Sequence, residues 1–147
     1  MAERTYVFNV FLEMQADGTN DFSIHSYKAA LMDSSYMPNI DSDESWADVS
    51  GDEVTVATGY TAGGGTLANV LITRNDQTNI VSITWDTYKW DIPYGAQLSG
   101  IKGVMVYNDS LASKPLIEFF EFANVMTVPQ ENSFVTTPVI QFKNGGA

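Results

Sequence analysis

The chain has 147 residues, with Asp+Glu 18 against Lys+Arg 7, a formal net charge of −11, no cysteine and one histidine, His25. That charge repels phosphate backbones and anionic lipid headgroups, so neither a nucleic-acid nor a membrane partner is expected. The cysteine and histidine counts exclude disulfides, thiolate zinc sites and a histidine-rich metal centre within one chain.

A composition of 44% hydrophobic and 12% aromatic residues fits one globular domain over residues 1–147, stabilised by packing alone. The start Met1–Tyr6 lacks the basic and apolar parts of a secretory signal, and no apolar run approaches the ~20 residues of a membrane span. A soluble chain made in the cytoplasm is the expectation.

In chain order, Tyr6–Met14 is rich in β-branched and aromatic residues and predicts a strand that ends at the turn cluster Ala16–Asn20. Phe22–Met32 alternates at first and then becomes apolar apart from Lys28, which predicts a strand entering the core. A long acidic and glycine-rich loop follows at about 33–65. Between Asp33 and Glu53 every charged side chain is a carboxylate, Trp46 sits in the middle, and Pro38 bars a continuous helix. Asp43–Asp48 has room for a short helical turn, with its acidic residues at the positive N-terminal end.

Glu53–Thr58 predicts a short strand before Gly59 and the run Gly63-Gly64-Gly65. Thr66–Arg74 and Asn79–Trp85 flank the polar turn Asn75–Thr78 and predict an antiparallel hairpin. Tyr88–Tyr94, interrupted by Pro93, reads as an edge strand. Gly100–Tyr107 and Pro115–Phe122 are strand-like across a polar connection, and Thr137–Phe142 forms a last strand before a flexible tail at about 143–147. Strands at this spacing, with no convincing amphipathic helix, predict an all-β chain: a single-domain antiparallel β-sandwich, jelly-roll-like.

Several chemistries fail on spacing. A calcium loop started at Asp41 would put Trp46 where the sharp-turn glycine belongs, and Asp52 where a bidentate Glu is expected. His25 has no nucleophile elbow near it, and Gly63–Gly65 lacks the lysine of a phosphate-binding loop. Trp46, Trp85, Tyr88 and Trp90 could stack on sugar rings if exposed, although Trp85 alternates with Ile83 and Val81 as a core residue would. No catalytic, cofactor-binding or metal residue is assigned, and an enzyme is not expected.

The ordered pieces Lys28–Met32, Tyr36-Met-Pro-Asn-Ile-Asp41, an acidic stretch ending Glu53-Val54, Gly59-Tyr-Thr-Ala-Gly-Gly64 and Leu67–Leu71 resemble small virion structural proteins of tailed bacteriophages. Val81–Trp85, Gly103–Tyr107 and Lys114–Phe119 resemble that group's later strands, so the similarity spans roughly residues 26–122. The resemblance implies a capsid decoration (cement) or head-fibre-base protein. It would be a homo-oligomer on the capsid surface, contacting the major capsid protein or other virion proteins, with no catalytic residues. A tail or head-fibre component binding host glycan, or a free carbohydrate-binding β-sandwich, is the alternative. Within this frame Tyr36, Pro38, Asp41, Asp43, Trp46, Gly59, Tyr60, Gly63 and Gly64 are the candidates for a rigid structural corner or interface.

Overall fold

The computed structural model describes residues 2–143, so all of the predicted tail after Lys143 lies outside the described residues. The chain is mostly β, with antiparallel pairing throughout the described residues. Strands β1 (Ala2–Val7), β2 (Tyr27–Asp33), β3 (Gly65–Thr66), β7 (Leu98–Asn108) and β8 (Leu116–Val128) form one sheet in the order β1-β8-β7-β2-β3. A second sheet runs β10 (Val139–Lys143), β5 (Ile80–Thr84), β4 (Leu71–Asn75), and a third pairs β6 (Tyr88–Ile92) with β9 (Asn132–Thr136).

Side-chain alternation along β2 and β7 divides the interior in two. Tyr27, Ala29 and Leu31 with Val104 and Val106 line one face, where Ile83 and Ile140 of the second sheet and Trp90, Ile92 and Phe134 of the third pack against them. Ala30, Met32, Met105 and Tyr107 line the other face, covered by Phe8, Tyr36 and Val49, with Trp46 packed alongside. Both faces of the large sheet are therefore dry at its centre, along β2 and the adjoining part of β7. This explains why β2 reads as a continuous apolar run instead of an alternating one. Glu118 of β8, paired with Val7 on one side and Val106 on the other, is 5% exposed, and burial pushes its pKa up to about 7.

Several predicted elements need correction. The run Tyr6–Met14 is not one strand: β1 ends at Val7 and a helix, α1 (Asn9–Asp17), follows. It buries Phe11 and Met14, one turn apart, and Gly18 closes it in the left-handed conformation at φ 79°. That glycine is a helix cap, not a hairpin turn, and the expectation of no amphipathic helix fails with it. Phe22–Ser26 is a turn: the Asp21 carboxylate accepts the Ser23 amide at 2.9 Å, and the Asp21 carbonyl accepts those of Ile24 and His25. Glu53–Thr58 forms no strand beyond an isolated bridge between Glu53 and Met32. Strand β9, absent from the sequence reading, is the partner that makes Tyr88–Ile92 a strand. The hairpin predicted over Thr66–Trp85 forms, but its first strand starts only at Leu71, because Thr66 pairs with β2 in the large sheet. Strands β7, β8 and β10 lie where expected, with β8 running on to Val128.

Candidate structural corner

Residues 33–66 wrap around one edge of the large sheet, passing from one of its faces to the other. On the first leg, Tyr36 packs edge-on to Phe119 with centroids 5.0 Å apart, and its hydroxyl donates to Asp43 at 2.9 Å. Burial and that carboxylate raise the Tyr36 pKa. Asp43 also accepts the Asn39 amide at 3.0 Å, closing the loop that holds half-buried Pro38. Asp41 accepts from the Asn9 side chain at 2.7 Å and so ties the segment to the start of α1.

Trp46 opens a four-residue helix, α2 (Trp46–Val49), continued by a 3₁₀ turn at Ser50–Asp52. The Ser45 and Glu44 amides both donate to Asp48 at 3.0 Å, as a carboxylate in the first turn favours, and hydrogen bonding from these amides lowers the Asp48 pKa. The Trp46 amide donates to the Lys114 carbonyl at 2.9 Å, and its half-buried indole stacks on Tyr107 at 4.7 Å and 10°.

The crossing of the edge is built from backbone groups. Strand β3 pairs with β2 only at Lys28 and Ala29, which leaves the Leu31 amide and carbonyl without strand partners on that side. The Val54 amide donates to the Leu31 carbonyl at 3.0 Å, and the Leu31 amide donates to the Tyr60 hydroxyl at 2.9 Å. Tyr60 in turn donates to Glu53 at 2.6 Å, and Glu53 also accepts the Gly63 amide at 2.8 Å. The Gly63 carbonyl accepts from Tyr107 at 2.6 Å, which returns the network to the ring under Trp46. Burial foremost, then the Glu53 hydrogen bond, raises the Tyr60 pKa, so this phenol stays a neutral donor.

Two glycines are required by the geometry. Gly64 adopts φ +82°, and a Cβ there would collide with the backbone of Ala29 and Ala30 in β2. Gly59, at φ +99°, lies against the Asp91 carbonyl of β6 in the same way. The segment thus covers an edge that would otherwise template pairing with another chain.

The structure brings all nine candidate residues into this one wrap, although Trp46 and Tyr60 belong to opposite faces and meet only through Tyr107, Gly63 and Glu53. Sequence reasoning missed Tyr107 and Glu53 as members. Each has an ordinary strand or loop context in the sequence; Gly63, which Tyr107 binds, lies 44 residues away, whereas Glu53 binds Tyr60 and Gly63 seven and ten residues on. It also missed a buried polar cluster in which Asn20 accepts from Tyr27 at 2.8 Å and from Asn108 at 2.9 Å, with His25 Nδ1 3.0 Å from the same Asn108 amide nitrogen. His25 is a structural member of that cluster.

The carboxylates of the acidic segment are tied into the fold. Asp41, Asp43, Asp48 and Glu53 each accept hydrogen bonds from their own fold, and among the described residues no group of three His, Cys, Asp or Glu side chains is placed to hold a metal. Of the rings considered for sugar stacking, Trp85 and Trp90 are 5% and 3% exposed, Tyr88 is packed 4.6 Å from Trp90, and Trp46 lies on Tyr107. Among the described residues no helix is long and apolar enough to cross a membrane. No family model matches the chain, and no characterised protein or solved structure is significantly similar to it.

Proposed function

We propose that this chain is a structural component of a tailed-phage virion: a capsid decoration protein with a jelly-roll-like sandwich fold, acting as a homo-oligomer on the capsid surface. The observation that carries the reading is the wrap at residues 33–66, the same stretch on which the resemblance to virion proteins is densest. Its carboxylates and hydroxyls are engaged in holding one shape, which suits a part whose task is to present a fixed surface.

On the outside of that wrap Met37 is 77% and Ile40 39% exposed, beside the exposed carboxylates Asp41 and Glu44. An apolar patch rimmed by negative charge complements a major capsid protein surface that offers an apolar pocket with basic neighbours. The remaining acidity would keep assembled particles apart. The glycan-binding alternative loses Trp85 and Trp90, which are 5% and 3% exposed, as stacking platforms.

The test is to purify particles of the parent phage by density banding, look for the chain by mass spectrometry, and map it by cryo-electron microscopy. Density on the capsid lattice is the expected result. A chain confined to the soluble lysate, or found at the tail tip, overturns the decoration reading. Where the chain is found on the capsid lattice, Met37→Asp should also strip it from particles while leaving its fold intact.

A further inference from the structure

The exposed edge of the second sheet differs from the others. β4 ends the order β10-β5-β4, and all five of its residues are exposed. Its register with β5 is continuous from Leu71↔Thr84 to Asn75↔Ile80, with no bulge. On the core-facing side the row Ile140–Ile83–Ile72 runs from buried to bare: Ile140 is 0%, Ile83 2% and Ile72 48% exposed. Leu71, on the opposite side, is 58% exposed. The apolar row therefore reaches the open edge of the sheet.

Natural sheets guard such edges with charge, proline, bulges or very short strands. Several other edges here have such devices, although β9 (Asn132–Thr136) holds no charge or proline within it. β1 carries a bulge between Ala2 and Arg4, β6 carries Lys89 and Asp91 and is followed by Pro93, and β10 is preceded by Pro138 and ends on Lys143. The edge of β2 is covered by the wrap. β4 carries one charge, Arg74, near its end, and its stretch Leu71-Ile72-Thr73 has no bulge, proline or charge.

Charge indicates which strand fits there. Between Val54 and Trp85 the sequence holds one cation and one anion, Arg74 and Asp76, which pair with each other at 3.0 Å, so this window is neutral in a chain of net charge −11. Two copies of such a chain repel through their acidic segments, and this hairpin, like the uncharged stretch Asn132–Phe142, adds no net charge to that repulsion. An antiparallel edge is also self-complementary about a two-fold axis, the commonest symmetry of homo-oligomers.

We propose that β4 pairs with β4 of a second copy, antiparallel about Thr73, joining two three-stranded sheets into one continuous sheet and covering Ile72 on both chains. The proposal rests on the homo-oligomeric part of the function given above and names its contact. Backbone hydrogen bonds between the two edges supply the attraction, and the neutral window lets them approach.

The chain contains no cysteine, so single introduced cysteines report proximity cleanly. Wild type, Ile72→Lys, Thr73→Cys and Ala112→Cys, the last in the β7–β8 connection, are compared by sedimentation velocity from low to high micromolar concentration and by a short bismaleimide. The expected result is a reversible wild-type dimer, weakened about tenfold or more by Ile72→Lys with its circular dichroism unchanged. Thr73→Cys should cross-link to a dimer and Ala112→Cys should not. An oligomer that Ile72→Lys leaves intact and Thr73→Cys fails to cross-link overturns the β4 contact while leaving homo-oligomerisation standing. A wild type monomeric at every concentration overturns both, and leaves the virion assignment to the particle experiment.

Discussion

The wrap at 33–66 and the hairpin β4–β5 are opposites. The wrap has little regular structure, two short helical turns and a two-residue strand, yet its polar groups reach into the sheet and cover an open edge. The hairpin is regular over ten paired residues, yet its outer strand is bare. Order in this protein therefore comes from where backbone donors and acceptors find partners, not from periodicity. The wrap completes its sheet within the chain, whereas the hairpin leaves a sheet to be completed from outside.

The most severe way to break this contrast is at Gly64. A valine there must hold φ +82° and drive its Cβ into the β2 backbone, so Gly64→Val is expected to cost about 4 kcal/mol in urea unfolding, or to prevent folding. A cost below about 1 kcal/mol would mean the wrap can lift from the edge without penalty, and the contrast with the hairpin would collapse.

A reference that belongs to neither region comes from Glu118. Its folded pKa is raised to about 7 from an ordinary 4.5. Its contribution is therefore fully present below about 4.5 and is lost as pH rises toward 7, because above that the folded state must carry a buried charge that the unfolded chain solvates. The shift corresponds to about 3 kcal/mol. Glu118→Gln should accordingly be more stable than wild type by up to that amount at about pH 8, with the gap closing toward about pH 5. Urea titrations of both proteins across this range give the comparison, and a pH-independent gap would contradict the burial account. Since Glu118 shares no partner with the wrap, its effect should add to that of Gly64→Val or Tyr60→Phe.

Tyr60→Phe sharpens the comparison further. It removes one oxygen, leaving the Leu31 amide without its acceptor and Glu53 without its closest donor, at an expected cost of about 2 kcal/mol. Hydrogen exchange should show the Leu31 amide losing protection while amides of the β4–β5 hairpin are unchanged. Equal loss in both regions would mean that they unfold as one unit.

What could be read beforehand follows the same division. The hairpin was legible because Thr66–Arg74 and Asn79–Trp85 are rich in β-branched residues around a polar turn, a signal carried by neighbours in sequence. The pairing of Thr66 with β2 that delays the first strand to Leu71 was not. The wrap was legible as a composition, with Trp46, Tyr60 and the glycines marked out, but Tyr107 completes its network from 44 residues beyond Gly63, and no local pattern announces that. Helix α1 was hidden because Phe8 sits at its N-cap with no side-chain cap, so strand and helix share one apolar run without punctuation. Strand β9 is five residues between Pro129 and Pro138 and becomes a strand only by pairing with β6.

The smallest expected effect tests the bare region on its own terms. Arg74 and Asp76 form an ion pair at 3.0 Å with side chains 76% and 78% exposed. Solvent screens such a pair, and holding both side chains in place costs entropy, so Arg74→Ala should change monomer stability by less than about 0.5 kcal/mol. The substitution also turns the neutral window acidic. If neutrality is what lets two edges approach, Arg74→Ala should weaken self-association while the unfolding midpoint stays where it was, and added salt should restore part of the loss. If the stability changes instead, the hairpin is held by its surface charges, and the distinction between a bonded wrap and a bare edge would have to be redrawn.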